Sequence, residues 1–295
     1  MANIGAVEAR ELRRRPSLWI TLVRFVRKKP LGAASATLLI ALSVVAVFAK
    51  QLAPYEFGEQ FYQFPLNSPN TQFLLGTDQL GRDVLSRLIH GARVSLYVGF
   101  VTVIVGVSIG VTIGVVSAFL GGKADLAIQR VMDAIMVFPF IVKAIVIVAV
   151  LGPGINNVII AISIAQMPRA NRIVRGVVLA VKEYQYIDAA YAIGASSLRI
   201  MFRHILPNIF APIAIIASVD LGAVITTEAT LSFLGLGIPP PFPSWGGMLT
   251  IDARPFLERA WWLALAPGLS ISLTVLSFNL LGDALRDVLD PRLRS

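Results

Sequence analysis

Three ionisable residues lie within long apolar stretches of this sequence: Lys143, Asp220 and Glu228. An ionisable group in the hydrocarbon of a membrane is costly, so such residues are functional candidates by default. They can line a polar translocation path, form buried ion pairs, or reach the interface through a long side chain. At the helical rise of 1.5 Å per residue, Lys143 lies ~24 Å and Asp220 ~17 Å from the start of the apolar segment that contains it. The difference of ~7 Å in depth is within reach of a lysine side chain and helix tilt, which predicts that the two residues form a pair or face one aqueous path.

Other kinds of chemistry find no support in the sequence. The chain has no cysteine, and its two histidines, His90 and His204, are too few and too far apart for a metal site. It lacks the G-x-x-x-x-G-K-[ST] loop that binds nucleotide phosphates, and no Ser/His/Asp grouping stands out. We therefore predict that the chain is not an enzyme and carries no catalytic, metal or cofactor site.

The composition is that of a protein that crosses a membrane repeatedly. Of the 295 residues, 56% are hydrophobic and 15% are charged, whereas about a quarter of the residues of a soluble domain are charged. The net charge of +9 could indicate nucleic-acid binding, but the basic residues flank apolar segments, which is typical of a topology signal. We predict an all-α polytopic membrane protein with six transmembrane helices. They lie at about residues 31–49, within 94–122, and at 128–150, 155–173, 209–230 and 261–281.

The distribution of charge predicts how these segments are oriented. Residues 1–30 are basic, and the uncharged run that follows is too long for the apolar region of a cleaved signal peptide. Residues 50–93 form a loop, residues 94–282 form a core that includes the loop 183–207, and residues 283–295 form a tail. The side that holds the termini and loop 183–207 carries 19 lysines and arginines, against 6 on the other side. The positive-inside rule therefore places both termini and loop 183–207 in the cytoplasm and loop 50–93 outside it.

Loop 183–207 reads as a helix, a turn and a second helix. One face of the first helix, at positions i, i+3, i+4 and i+7, consists of Ile187, Ala190, Tyr191 and Gly194. Ala189 and Ala190 have side chains small enough to let another backbone approach. Gly194 suits the left-handed residue that ends a helix, and one of the two serines that follow can cap the next helix. Such a unit is typical of a segment that docks into a groove of a partner.

Two further patterns accompany this loop. Gly106, Gly110 and Gly114 recur every four residues, which predicts close packing against another helix of the same chain. Before the second apolar segment, a short amphipathic stretch carries charges that favour a solvated face at the surface, with contact to an external partner as the alternative. These charged residues are Asp78, Arg82, Asp83 and Arg87.

Loop 183–207 resembles the EAA loop of ABC importer permeases, in which E-A-A is followed by three residues, Gly, nine residues and I-x-L-P. This chain has Asp188-Ala189-Ala190, Gly194 and Leu206-Pro207 at the same spacing. Asp188 replaces the usual Glu, and His204 stands where the pattern has Ile. Asp keeps the charge of Glu on a shorter side chain.

Other motifs resemble one branch of that family, the permeases for peptides and nickel. They are G-T-D-x-x-G-R-D-x-x-S-R at residues 76–87, LSFLGLG, PSWGGML and the L-G-D-x-L-R-D-x-L-D-P-R-L-R tail. The resemblance covers about residues 74–294 and identifies a C-type subunit of the dipeptide, oligopeptide and nickel permeases.

The resemblance implies a type I ABC importer permease fold in a prokaryotic inner membrane. It implies a second homologous permease, two cytoplasmic ATPases that hold ATP and Mg, and an extracytoplasmic binding protein as partners, with membrane lipid around the spans and no nucleic acid. The implied cargo is a di- or oligopeptide; nickel complexes, glutathione or another small solute are the alternatives, and an autonomous secondary transporter is less favoured. The residues implied to couple the ATPase to transport are Asp188, Ala189, Ala190, Gly194, Leu206 and Pro207.

Overall fold

The computed structural model describes residues 25–289, and this part of the chain is helical with no β-strand, which confirms the all-α prediction. The main helices are α1 (Pro30–Val47), α2 (Val84–Leu120), α3 (Gly122–Met136), α4 (Phe140–Leu151), α5 (Ile155–Lys182), α6 (Gln185–Ala192), α7 (Ser197–Ile200), α8 (Phe210–Phe233) and α9 (Trp262–Leu289). Short helical turns lie between them, at Ala49–Leu52, Met201–Ile205, Leu206–Asn208, Trp245–Gly247, Met248–Ala253 and Arg254–Phe256. Most of the predicted segment 1–30 and the end of the predicted tail 283–295 lie outside the described residues.

Among the described residues, four helices are long and apolar enough to cross a membrane: α1, α2, α8 and α9. Helices α3 and α4 together would make a fifth crossing, but the chain bends by 87° between them. Helix α5 has 28 residues and would span ~42 Å, although arginines and amides interrupt its apolar sequence. The predicted count of six therefore requires the bent pair and α5 to be counted as crossings.

The predicted straight span at 128–150 is wrong, because Pro139 divides it. Proline has no N–H to donate and disfavours helical geometry in the residue before it, so α3 ends at Met136 and α4 begins after Pro139. Two predicted boundaries also move. The predicted loop 50–93 ends early because α2 begins at Val84, and the span predicted to end at 173 continues as α5 to Lys182.

The centre of the bundle is the contact between α2 and α5. A Cβ atom added to Gly110 would lie 2.6 Å from the carbonyl oxygen of Met167 and 2.7 Å from Cβ of Ala170. Gly106 and Gly114 face α5 in the same way, at Gln166 and Asn171. The glycine repeat therefore serves close packing within the chain, as predicted.

Helix α5 runs from one end of the bundle to the other. Near its start, Gly154 donates from its backbone N to the oxygen of Gly237 over 3.1 Å. At its finish, Lys182 Nζ donates to the carbonyl oxygen of Ala118, near the end of α2, over 3.0 Å. We call the first end, with residues 53–83 and 234–261, the long-loop end, and the second, with residues 118–136 and 182–208, the α6 end.

Four buried charges join two distant segments at the long-loop end. Arg82 donates to Asp78 Oδ2 over 2.6 Å and to Asp252 Oδ1 over 2.9 Å. Arg87 donates to Asp252 Oδ2 over 2.8 Å, and its Nε lies 3.5 Å from Asp78 Oδ2. Burial raises the pKa of Asp252, and the neighbouring arginines oppose that shift. We call these four residues the charge quartet.

The charge quartet corrects the prediction of a solvated face. Asp78, Arg82 and Arg87 are between 1% and 7% exposed. Asp83 is buried as well, and its Oδ2 accepts from the backbone N of Ser86 over 2.7 Å, so that it caps α2. The prediction failed because the segment that covers these charges, around Asp252, lies some 170 residues further along the chain.

Candidate functional site

Helix α6 is held on the bundle by one narrow face. Ile187 and Ala190 are 1% and 4% exposed, and they pack in the same core as Ile200 and Ile205. The other two residues of the predicted face, Tyr191 and Gly194, are exposed. Ala190 therefore contacts its own bundle, and its neighbour Ala189 is the small residue that faces outward.

The turn after α6 has the geometry that the sequence predicts. Gly194 has a φ of +79°, in the left-handed region that favours glycine. Its N donates to Tyr191 O over 2.9 Å, and Ala195 N donates to Ala190 O over 3.0 Å, which is the pair of bonds of a Schellman motif. Ser196 then caps α7, since its Oγ accepts from the backbone N of Arg199 over 3.4 Å.

The outer surface of this unit is exposed and partly apolar. Asp188, Gly194 and Pro207 are exposed, whereas Leu206 is half-buried. The carboxylate of Asp188 makes no ion pair or hydrogen bond with any residue between 25 and 289. Three large apolar side chains are also exposed there, and exposed apolar side chains at one site indicate a surface that another molecule covers. They are Ile193, Leu198 and Phe202.

A cavity of about 350 Å³ opens between α6 and the segment that begins with α7. It is lined by Tyr186, Ala189, Ala190, Ile193, Ala195, Arg199, Arg203 and His204. The rings of Tyr186 and His204 are tilted by 43° to each other, with centroids 6.3 Å apart. Burial, with a smaller contribution from Tyr184, raises the pKa of Tyr186, so its phenol remains a hydrogen-bond donor. We call this space the α6–α7 cavity.

Three arginines of α5 connect this end of the bundle to other helices. Arg175 donates two hydrogen bonds, of 2.8 and 2.5 Å, to the carboxylate of Asp125 in α3, and Ser117 of α2 also donates to that carboxylate. Arg172 pairs with Asp133 over 2.7 Å. The distribution of charge along the sequence predicted only a role in topology for these arginines. Their spacing of three residues, which puts successive arginines on neighbouring positions of one helix surface, was the signal for a ladder of ion pairs.

The predicted pair between Lys143 and Asp220 is wrong. Asp220 accepts from Arg169 Nη1 over 2.9 Å, and Lys143 makes no ion pair within the part of the chain that the structure describes. The predicted depth of Lys143 assumed one straight helix from residue 128. Because the chain bends before Pro139, Lys143 is instead the fourth residue of α4.

Glu228 is fully buried near the end of α8. Its carboxylate accepts from Ser232 Oγ over 2.8 Å and from Ser95 Oγ of α2 over 3.4 Å. Ser95 Oγ in turn accepts from the backbone N of Trp245 over 3.2 Å. Glu228 thus joins α8, α2 and the turn at Trp245 through hydroxyl groups, and the ion pairs of residues 25–289 do not include it.

Comparison with known proteins identifies the class of protein to which this helical bundle belongs. The family described as "Binding-protein-dependent transport system inner membrane component" matches residues 110–295. The chain belongs to this family. It is a permease subunit of an ABC importer and an inner-membrane component, as its motifs predict, and it is not itself the ATPase. Membership also implies ATPase and substrate-binding proteins as partners.

Similar proteins cover almost the whole chain. The di/tripeptide transport system permease protein DppC of Pseudomonas aeruginosa (strain UCBPP-PA14) is 44% identical, over 90% of this chain and 89% of its own. The dipeptide transport system permease protein DppC of Alkalihalophilus pseudofirmus is 40% identical, over 95% and 91%. The glutathione transport system permease protein GsiD of Shigella flexneri serotype 5b (strain 8401) is 45% identical, over 94% and 91%.

A solved structure has the same fold. The MetNI methionine ABC transporter, in an inward-facing conformation, superposes with a TM-score of 0.56 over 69% of this chain and 96% of the matched chain. The identity is 18%, so the likeness concerns the fold alone. It agrees with the predicted type I permease fold.

Proposed function

We propose that this chain forms half of the translocation path of an importer for short peptides, together with a second homologous permease. The names of the similar proteins support this cargo, because they specify dipeptides, di- and tripeptides and glutathione, and glutathione is itself a tripeptide. Competition assays test it: uptake of a labelled dipeptide should be inhibited by unlabelled di- and tripeptides and not by nickel complexes. Inhibition by nickel complexes alone would contradict the peptide assignment.

The observation that carries the mechanism is the exposed segment formed by α6, the turn at Gly194 and α7, residues 185–200, which we call the α6–α7 unit. It presents Asp188, Ala189 and the turn at Gly194 on its outer surface, while Ile187 and Ala190 hold it on the bundle. In our proposal, two ATPase subunits bind ATP and Mg, and each docks a unit of this kind in a groove. Leu206 and Pro207 connect the unit to α8, so displacement of the unit moves a membrane-crossing helix.

The orientation follows from the excess of basic residues around the α6 end. The α6–α7 unit and both termini face the cytoplasm, and the long-loop end faces the substrate-binding protein. Impermeant thiol reagents test this in a chain that has no native cysteine. A cysteine introduced at Tyr184 should be labelled only in inverted vesicles, and one introduced at Tyr62 only in intact cells; the reverse pattern would contradict the orientation.

Substitution of Gly194 tests the coupling role, and Gly235 supplies a matched control. Gly235 has a φ of +78°, almost the same as the +79° of Gly194. It ends α8 with the same two bonds, from Gly235 N to Ser232 O and from Leu236 N to Leu231 O. Neither glycine has another atom within 4 Å of an added Cβ. Valine therefore introduces the same left-handed strain of about 1–2 kcal/mol at both positions, but only at Gly194 does it also reach the docking surface.

We expect Gly194→Val to reduce substrate-stimulated ATPase activity and uptake about tenfold or more in reconstituted complexes, the factor that corresponds to 1.4 kcal/mol. Gly235→Val, which lies at the opposite end of the bundle, should keep normal ATPase association and basal ATPase activity at the same level of inserted permease. Normal ATPase association and stimulation with Gly194→Val would show that the coupling contact lies elsewhere. Asp188→Ala should have a smaller effect, since desolvation partly offsets an interfacial ion pair, and Asp188→Glu should retain activity.

A further inference from the structure

The α6–α7 cavity has a charged side and an apolar side. Arg199, Arg203 and His204 line it from the segment after the turn, at positions i, i+4 and i+5. Ala189, Ala190, Ile193 and Ala195 supply the apolar wall, and the Tyr186 phenol is a further donor. The cavity thus combines hydrogen-bond donors with an apolar surface that can cover the stem of a side chain.

The basic groups of this cavity have no acidic partner among the described residues. Within residues 25–289, the guanidinium groups of Arg199 and Arg203 make no ion pair and no hydrogen bond. Cations one helical turn apart repel each other, and an anion between them would remove that repulsion. The arginines of α5 show the contrast, since Arg169, Arg172 and Arg175 each have an aspartate.

We propose that the α6–α7 cavity binds a carboxylate side chain of the ATPase subunit, an inference that rests on the proposed function of the α6–α7 unit. An arginine guanidinium can hold a carboxylate with two parallel bonds, and the cavity volume of about 350 Å³ accommodates an Asp or Glu side chain. The occupant is an acidic protein segment rather than an anionic lipid. Asp188 is exposed, has no partner among residues 25–289 and lies beside the cavity-lining Ala189, so it would repel an anionic membrane surface.

Asp188 and the cavity then act together in docking. The unit presents one acidic group and, beside it, a pocket of basic groups, so its partner needs a base and an acid in matching positions. Complementary charges of both signs set the register of an interface, because any shifted arrangement brings like charges together. Apolar contacts at Ile193 and Leu198, both exposed, would complete the interface.

Charge reversal tests the proposal. The variant Arg199→Glu/Arg203→Glu is compared with Lys123→Glu/Arg130→Glu, which makes the same change of charge on α3 at the same end. Both control residues are exposed, make no ion pair within the described chain and do not line the cavity. Binding of purified ATPase subunits to the permease pair is measured in detergent without phospholipid, at several salt concentrations.

We expect the cavity variant to weaken ATPase binding about tenfold or more and to lose most of its salt dependence. The control should stay within about twofold of the wild type, and Arg199→Lys/Arg203→Lys should retain most of the binding. Because all four side chains are exposed, thermal unfolding should be unchanged. If the charge-reversed variant inserts poorly, Arg203→Gln provides the same test: its ATPase binding should be weaker and less dependent on salt than that of the wild type.

Three outcomes would overturn the inference. The first is that the cavity variant binds the ATPase as the wild type does, while Gly194→Val still impairs stimulation. This result would reject the carboxylate site but would leave the proposed coupling function standing. Equal losses in the cavity variant and the control would show a general charge effect. Normal ATPase binding, together with loss of added phosphatidylglycerol but not of phosphatidylcholine from the detergent-purified permease, would assign the cavity to lipid. Failure of the wild-type permease pair to bind ATPase subunits would instead contradict the proposed function.

Discussion

The two ends of the bundle use the same residue types in opposite ways. At the long-loop end, the charge quartet is buried and its two arginines and two aspartates pair with one another, although Arg87 Nε makes no hydrogen bond within the described residues. At the α6 end, Asp188, Arg199 and Arg203 are exposed, and none has a partner among the described residues. Charges of the first kind hold two segments of one chain together, whereas charges of the second kind remain available to another molecule.

The ion pairs of α5 lie between these extremes. The side chain of Asp125 is 12% exposed in its pair with Arg175, whereas that of Asp133 is 48% exposed in its pair with Arg172. Coulombic attraction is strong where water is excluded and weak where it is not. The burial of the charged side chains by neighbouring segments, rather than the distance between the charges, therefore decides how much each pair contributes to stability.

The largest effect is expected from Asp252→Ala in the charge quartet. Removal of one member of a buried ion pair leaves its partners uncompensated and costs about 3–5 kcal/mol. Asp188→Ala is the same chemical change at the α6 end and should alter stability by no more than about 0.5 kcal/mol. Thermal unfolding of the purified permease measures both, and equal losses of stability would remove the distinction between the two ends.

A smaller effect is expected from Asp220→Ala. It removes a hydrogen bond to a charged group, which contributes about 1.5–3 kcal/mol, but Arg169 is 53% exposed and can be solvated when its partner is lost. The reversed pair Arg169→Asp/Asp220→Arg should recover part of the loss. If the reversed pair is less stable than either single variant, the contact seen between these two residues does not contribute as described.

The third comparison is between two arginines one turn apart. Arg175→Ala breaks a two-bonded contact with a mostly buried carboxylate and should cost about 1–2 kcal/mol. Arg172→Ala breaks an exposed pair and should cost at most about 0.5 kcal/mol. Unfolding of the two variants under identical conditions checks the order, and a greater loss for Arg172→Ala would show that exposure does not rank these pairs.

The smallest effect is expected from Lys143→Leu. Its ammonium makes no ion pair with the described residues, so the change leaves no partner charge uncompensated and should cause no loss of stability. Uptake by the reconstituted importer should also remain near that of the parent. A strong loss of uptake with normal stability would instead identify Lys143 as part of the translocation path.

Several features that depend on neighbouring residues were predicted correctly, although the break at Pro139 was not. The left-handed Gly194, a cap at one of the two serines after it, and packing of the glycine repeat within the chain all follow from spacing within a few turns of helix. Features that depend on remote residues were not. The sequence has no local signal that Asp252 covers Arg82 and Arg87, so a buried charge quartet was predicted as a solvated surface.

The sequence by itself determined the class of protein, the helical membrane architecture and the position of the α6–α7 unit, because hydropathy, capping and motif spacing act along the chain. Tertiary structure alone decided which charges are paired. The approach of α5 to α8 paired Asp220 with Arg169. The bend that moved Lys143 is different, because it follows from Pro139, a local signal that the predicted helix at 128–150 did not take into account. Ion pairing depends on distance in space and on exclusion of water, and both are set only when helices far apart in sequence pack together.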